Sequence, residues 1–222
     1  MKTEFIQNMS HEIRTPLNIL NGFTQILTSK DAEQLLPAEK ADMCRRVTEN
    51  TERITSLINK LLMLSESNSQ HVLECNDQTT VDEIVMQAVM TARAASTADI
   101  VFDTVIDDTV KNLPLQTNRD YAVRALVQLI DNAFKFTKQG RVTLSAKQGE
   151  GCVCFVVEDT GIGIPKEESL HVFEEFVQLD SYNEGMGIGL TMARSIATRL
   201  GGSLDIDAEY TDGARFVFTL PR

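Results

Sequence analysis

Four stretches of this chain hold residue types that could do chemistry together. EDTGIGIP (Glu158–Pro165) places an acid and two glycines directly after the apolar run Cys152–Val157. That order predicts a strand leaving a sheet into a glycine turn. Asp159 would be a carboxylate acceptor for an amine, and Gly161 and Gly163 would let the backbone approach a ligand closely. GMGIGLTMARSIATRLGG (Gly185–Gly202) runs Gly185, Gly187 and Gly189 straight into an amphipathic pattern. Free N–H groups and the positive end of a helix would there face an anion. The spacing is GxGxGL rather than GxGxxG, and no strand immediately precedes it, which argues against a dinucleotide fold. In QLIDNAFKFT (Gln128–Thr137), Gln128, Asn132 and Lys135 share one face of a helix. Amide oxygens suit Mg²⁺, a hard cation, and Lys135 can pair with phosphate oxygens. The fourth stretch surrounds His11. Neutral imidazole is a good nucleophile near pH 7, and Glu12 beside it could accept the ring proton or orient the tautomer.

The elements that must position these residues follow from periodicity. Ile6, Ile13, Leu20 and Leu27 are spaced by seven, with Met9, Pro16 and Phe23 three residues behind, an a/d seam over about three heptads. His11 then falls at position f, facing solvent. A second seam runs through Met43, Val47, Asn50, Ile54, Leu57, Leu61 and Leu64. The polar stretch Lys30–Lys40 separates the two, with Pro37 near the start of the second helix. Two helices with such narrow seams bury little alone, so a homodimeric four-helix bundle through residues 1–68 is the expected completion. Ser65–Gln70 is polar and reads as a break, with a hinge or linker over 69–76. Beyond it, strands are predicted at Val101–Ile106, Arg141–Ala146, Cys152–Val157, Phe216–Leu220 and near Ser203–Ala208. Helices are predicted at Val81–Ala94, Arg119–Phe136 and Gly187–Leu200. The fold class is therefore α+β: an antiparallel helical hairpin, then over 77–222 an α/β sandwich with a mixed sheet and helices on one face.

Composition narrows the function classes. A net charge of −11, from 21 basic and 32 acidic residues, repels nucleic acid and anionic lipid, so no direct nucleic acid binding is expected. Any anionic ligand must be held by local geometry. No apolar run approaches the length of a membrane helix, and no signal peptide opens the sequence. Cys44, Cys75, Cys152 and Cys154 form no CxxC pair and read as reduced thiols. Cys152 and Cys154 would share one face of a strand as small core residues.

HEIRTP (His11–Pro16), preceded by Phe5–Ser10, resembles the H-box of the histidine kinases. A proline inside a helix costs about 3 kcal/mol, and few coiled coils would keep one five residues after a histidine. Gln128–Thr137 resembles that family's N-box, Glu158–Pro165 its G1 box, His171–Leu179 its F-box through Phe173 and Phe176, and Gly185–Gly202 its G2 box. These segments stand in family order across nearly the whole chain. The resemblance implies ATP and Mg²⁺, an ATP-binding domain of the type shared with gyrase and Hsp90, and autophosphorylation on His11. Glu12 would assist transfer, and Thr15 would support a phosphatase reaction. Asp159 would take the adenine amine, with Gly161, Gly163, Phe176, Gly185, Gly187, Gly189 and Leu190 around the nucleotide. Asn132 and Gln128 would face the metal. The implied partner is a response-regulator receiver domain. The implied location is cytoplasmic, as part of a longer sensor, with membrane attachment only through segments outside this chain. Two features depart from the family pattern. Gln128 stands where asparagine is usual, and Val177–Glu184 is a short lid with no Lys or Arg. A degenerate nucleotide-binding scaffold, a phosphatase-dominated member and an ATPase clamp remain alternatives on sequence alone.

Overall fold

The computed structural model describes residues 2–29, 32, 35–67, 73–93, 100–174, 177 and 187–222; within its helices, the side chains of 2–9, 56, 59–67 and 93 are excepted. The chain divides into two compact units, Met1–Asn68 and Ser69–Arg222.

The first unit is a pair of packed helices, α1 (Lys2–Thr28) and α2 (Pro37–Ser67). At the start of α2 the Glu39 carboxylate accepts from the Leu36 N–H at 2.8 Å, a one-sided cap that satisfies an otherwise orphaned donor. Asp42, Arg45, Arg46 and Glu49 pair along one side of α2 at i, i+3 and i, i+4 spacing. The heptad seam is only half-buried: Ile13, Leu20, Phe23, Leu27, Met43, Val47 and Ile54 are all intermediate in exposure, whereas Pro16 and Leu57 are buried. The predicted break at Ser65–Gln70 begins later than expected, because α2 continues to Ser67. That run contains neither glycine nor proline, and its residues tolerate helix well enough to extend it. The rest of the predicted break lies in 68–72, outside the described residues.

The second unit is built on a five-stranded sheet in the order β2-β4-β5-β7-β6, from β2 (Ile100–Ile106), β4 (Gly140–Gln148), β5 (Cys152–Asp159), β6 (Ser203–Ile206) and β7 (Arg215–Pro221). Only the β2–β4 pair is parallel, so the sheet is mixed. Helices α3 (Val81–Arg93), α4 (Arg119–Phe136) and α5 (Gly189–Arg199) cover one face. Alternation along the strands explains the burial: Val142, Leu144 and Ala146 of β4, Val153, Phe155 and Val157 of β5, and Phe216, Phe218 and Leu220 of β7 enter one core with Leu126, Leu129, Ile130 and Ile196 of the helices. Phe155 and Phe218 are fully buried and stacked, ring centroids 5.7 Å apart. Phe155→Ala should therefore cost about 3–5 kcal/mol through lost burial and a residual cavity, measured as a lower urea midpoint with unchanged m-value.

Two short strands, β1 (Asp77–Thr80) and β3 (Pro114–Thr117), pair antiparallel as a separate two-stranded sheet. Neither is predicted from sequence, because DQTT and PLQT hold too few apolar residues to show a period of two. Thr80 and Glu83 cap α3 as a reciprocal box: the Glu83 N–H donates to Thr80 Oγ1, and the Thr80 N–H donates to Glu83 Oε2. Asn118 caps α4 by accepting from the Tyr121 N–H at 3.2 Å, and its Nδ2 donates to the Glu74 carbonyl at 3.0 Å. These caps fix where α4 begins, and hence which of its residues face α5.

Candidate functional site

At the end of β5, Asp159 is 4% exposed. Its Oδ1 accepts from the Gly161 N–H at 2.8 Å and the Ala214 N–H at 3.2 Å. Among the described residues both bonds land on that one oxygen. Burial pushes the Asp159 carboxyl above the ordinary carboxylate range, and the two backbone donors oppose the shift only in part. An acid so deeply placed, with its carboxylate form penalised by burial, is costly to the fold, which marks it as a functional candidate.

The glycine turn after Asp159 is packed against the end of α4. The Ile162 N–H donates to the Phe136 carbonyl at 3.3 Å. A Cβ on Gly161 would lie 2.4 Å from that carbonyl oxygen, closer than backbone can tolerate. Gly161→Ala should thus displace the turn and cost about 1–3 kcal/mol, seen as a lower Tm together with weaker nucleotide binding. Gly163 has φ of +69°, a left-handed conformation that L side chains rarely adopt. Sequence reasoning missed the other wall of this turn. A Cβ on Gly213 would come within 2.1 Å of the Asp159 carbonyl oxygen, so the Gly213–Ala214 approach to β7 encloses the acid. A glycine before a strand is too ordinary to signal this.

Helix α5 begins at Gly189, two residues after Gly187 at φ +65°. That left-handed residue is why the helix starts later than the predicted Gly187. Ile188 provides no side-chain cap, and no acid occupies the first turn, so a positive helix end is left for an anion. A Cβ on Gly189 would lie 3.0 Å from Gln128 Oε1 and 3.8–3.9 Å from the Asn132 amide atoms. The structure therefore brings Gln128, Asn132 and Gly189 together, as the helical face of α4 predicts. Two amide side chains beside an anion-favouring helix end are a donor set that fits Mg²⁺ paired with phosphate. Lys135 is exposed near the end of α4, its Nζ 5.0 Å from the Phe136 ring centroid. Leu190 packs partly against the core, and Thr191 Oγ1 donates to the Phe173 carbonyl at 2.9 Å. Phe173 is a core residue, edge-on to Phe216 and beneath the Arg194 guanidinium. Phe176, Gly185 and most of the predicted lid lie outside the described residues.

In the first unit His11 is exposed on α1, as position f requires, and Glu12 is half-buried. Pro16 lies within the helix and removes the N–H that would bond the Glu12 carbonyl. Thr15 is exposed, and its Oγ1 donates to the His11 carbonyl at 3.2 Å, so the threonine is tied to the turn that bears the histidine.

A helical pair with an exposed histidine, followed by a sandwich with a buried acid, a glycine turn and an uncapped helix start, defines a phospho-acceptor hairpin joined to a nucleotide-binding domain. Residues 1–70 match the His Kinase A (phospho-acceptor) domain, and residues 117–222 match the histidine kinase-, DNA gyrase B- and HSP90-like ATPase. The chain belongs to the sensor histidine kinases of two-component systems, as their catalytic core. It is 31% identical over 231 residues to the sensory/regulatory protein RpfC of Xanthomonas campestris pv. campestris, covering 99% of this chain and 31% of that protein. It is 29% identical over 235 residues to the drug sensory protein A of Synechocystis, covering 99% of this chain and 35% of that protein. The chain thus spans about a third of each of these relatives. The full-length structure of ShkA in complex with AMPPNP matches 98% of this chain and 45% of its own at 26% identity and a TM-score of 0.70.

Proposed function

We propose that this chain transfers the γ-phosphoryl group of ATP to His11 and then to an aspartate on a response-regulator receiver domain. The observation that carries this reading is one chain holding both an exposed histidine on a phospho-acceptor helix and the buried Asp159 of an ATPase fold. The division follows: 1–68 for dimerisation and phosphoacceptance, 69–76 as linker, 77–222 for ATP.

Asp159 accepts the exocyclic amine of adenine, with Gly161 and Gly163 letting the base approach. Gly187 and Gly189 direct backbone N–H groups at phosphate oxygens, with Leu190 and Lys135 alongside, and Gly185 and Phe176 are assigned to the same nucleotide by the family pattern. When bound, Mg²⁺ neutralises phosphate charge, and Asn132 and Gln128 would hold it through amide oxygens. His11 Nε2 bonds to the γ-phosphorus as the bond to the bridging oxygen breaks, and ADP leaves. Glu12 orients the ring or takes its proton. A loose transition state asks mainly for positioning and charge neutralisation, which these groups supply. Thr15, held beside His11, is the residue for dephosphorylating the regulator.

The half-buried seam and the exposed Leu17, Ile19, Ile26 and Ile58 favour a homodimeric bundle through 1–68. None of the described helices is long and apolar enough to cross a membrane. We place the chain on the cytoplasmic side, where ATP and a receiver domain are available. Its net charge argues against a nucleic acid partner.

The test is incubation with γ-labelled ATP and Mg²⁺, then acid and alkali treatment of the protein. Acid-labile, alkali-stable label that moves to an added receiver domain is expected. Nucleotide binding with no label on the protein would sink the kinase reading and favour a scaffold or phosphatase.

A further inference from the structure

The sheet face turned away from the helices carries two thiols that the nucleotide site does not use. Cys152 and Cys154 stand two apart on β5, so both point to that face, and both are partly exposed. Their sulfurs lie 3.9 Å apart, well beyond a disulfide bond of about 2.05 Å. Two thiolates on one tetrahedral ion, with metal–sulfur bonds of about 2.3 Å, span about 3.8 Å. The observed separation is therefore close to the bite of such an ion.

The hairpin between β4 and β5 shapes this pair. The Gly149 N–H donates to the Cys152 carbonyl at 2.9 Å, closing the turn. A Cβ on Gly149 would come within 2.7 Å of one sulfur and 2.8 Å of the other. Both sulfurs thus converge on bare backbone, where any side chain but hydrogen would displace them. Lys147 and Thr219 are the register neighbours of Cys154 on the two adjacent strands. Burial and the Cys152 thiol push the Cys154 thiol up, while Lys147 opposes this.

We propose that Cys152 and Cys154 form a two-thiolate chelate for a soft divalent cation of filled d-shell, the Zn²⁺ or Cd²⁺ class. Binding converts two thiols to two metal–sulfur bonds and releases two protons. Among the described residues no cluster of three or more His, Cys, Asp or Glu is placed around a metal position. Water therefore completes the coordination, and the site is weaker than a four-ligand structural zinc centre. It is separate from the nucleotide site: Asp159 is five residues further along β5 than Cys154, about 17 Å at strand rise.

The probe is Cd²⁺ itself, titrated into nucleotide-free protein and followed by thiolate-to-metal ultraviolet absorption. The variant C44S/C75S, which keeps only this pair, should bind one ion per chain. C152S and C154S should each bind at least tenfold more weakly. Affinity should rise about a hundredfold per pH unit while both thiols remain protonated, the slope set by two released protons. No cadmium bound by C44S/C75S, or equal binding by C152S, would overturn the proposal. A measurement on the unmutated chain guards against misfolded variants: Cd²⁺ should protect Cys152 and Cys154, but not Cys44, from maleimide labelling. Equal labelling of all three would overturn the proposal as well.

Discussion

His11→Ala should abolish acid-labile phosphorylation while leaving ATP affinity and stability nearly unchanged. The split follows from where His11 sits. Its side chain is exposed on α1, away from the seam, so truncation creates no cavity. Alanine is at least as good a helix former, and exposed substitutions of this kind usually stay within about 0.5 kcal/mol. The Thr15 hydroxyl bonds the His11 carbonyl, which the substitution retains. The nucleotide residues lie on other elements, so ATP binding by the second unit should persist. Label, thermal midpoint and nucleotide affinity should be read on the same preparations. Label retained on the His11→Ala protein would remove His11 from the reaction. Steady phosphate release at the unmutated rate, with no phosphoprotein formed by either chain, would point instead to an ATPase clamp.

Asp159→Asn should weaken ATP binding by roughly 10–100-fold, the usual worth of a hydrogen bond to a charged group, without lowering stability. The two effects arise from different atoms. Asparagine keeps a carbonyl oxygen for the Gly161 and Ala214 N–H groups, so the turn stays satisfied. Its amide nitrogen, however, is a donor and cannot accept an adenine amine. The stability sign comes from the raised pKa of Asp159. Between its unfolded and folded values the native state binds more protons than the unfolded chain, so stability falls as pH rises through that interval. Above the folded value, the burial penalty on the carboxylate is fully present. Asparagine removes it, so the variant's advantage should be larger at pH 7 than at pH 4. Calorimetry with ATP and urea unfolding at both pH values measure the two effects. Unchanged affinity at pH 7, or a variant much less stable there, would refute the adenine assignment or the burial argument respectively.

Helix α4 was legible from end to end, because its apolar residues repeat at helical spacing; the Asn118 cap and the extended Thr137 that bound it belong to the structure. The same pattern showed that Gln128 and Asn132 share a face. The strands of the main sheet were legible through alternation of apolar residues, whereas β1 and β3 were not, since DQTT and PLQT hold too few apolar residues to show it. The glycines of the turn after β5 were readable as glycines, but not the reason each is needed. At Gly161 that reason is the Phe136 carbonyl oxygen, and at Gly213 it is the Asp159 backbone, contacts between segments distant in sequence. Phe173 was readable only as an aromatic at helical spacing; its place beneath Arg194 and against Phe216 belongs to the packed core.

What the sequence determined by itself is therefore local and periodic: two seven-residue seams, a histidine outside the first of them, an amide-bearing helix face, and glycines at a strand end and a helix start. Each depends on neighbours within a turn or two, where backbone geometry translates spacing directly into position. Only the tertiary structure decided what closes on Asp159, a donor 55 residues further along the chain, and that the first residue of α5 abuts Gln128 and Asn132. It also set the parallel pairing of β2 with β4 and brought two sulfurs together over Gly149. Those outcomes depend on which strands pair and which faces bury. Such choices are made by the free energy of the whole core, because no short window of residues contains both partners.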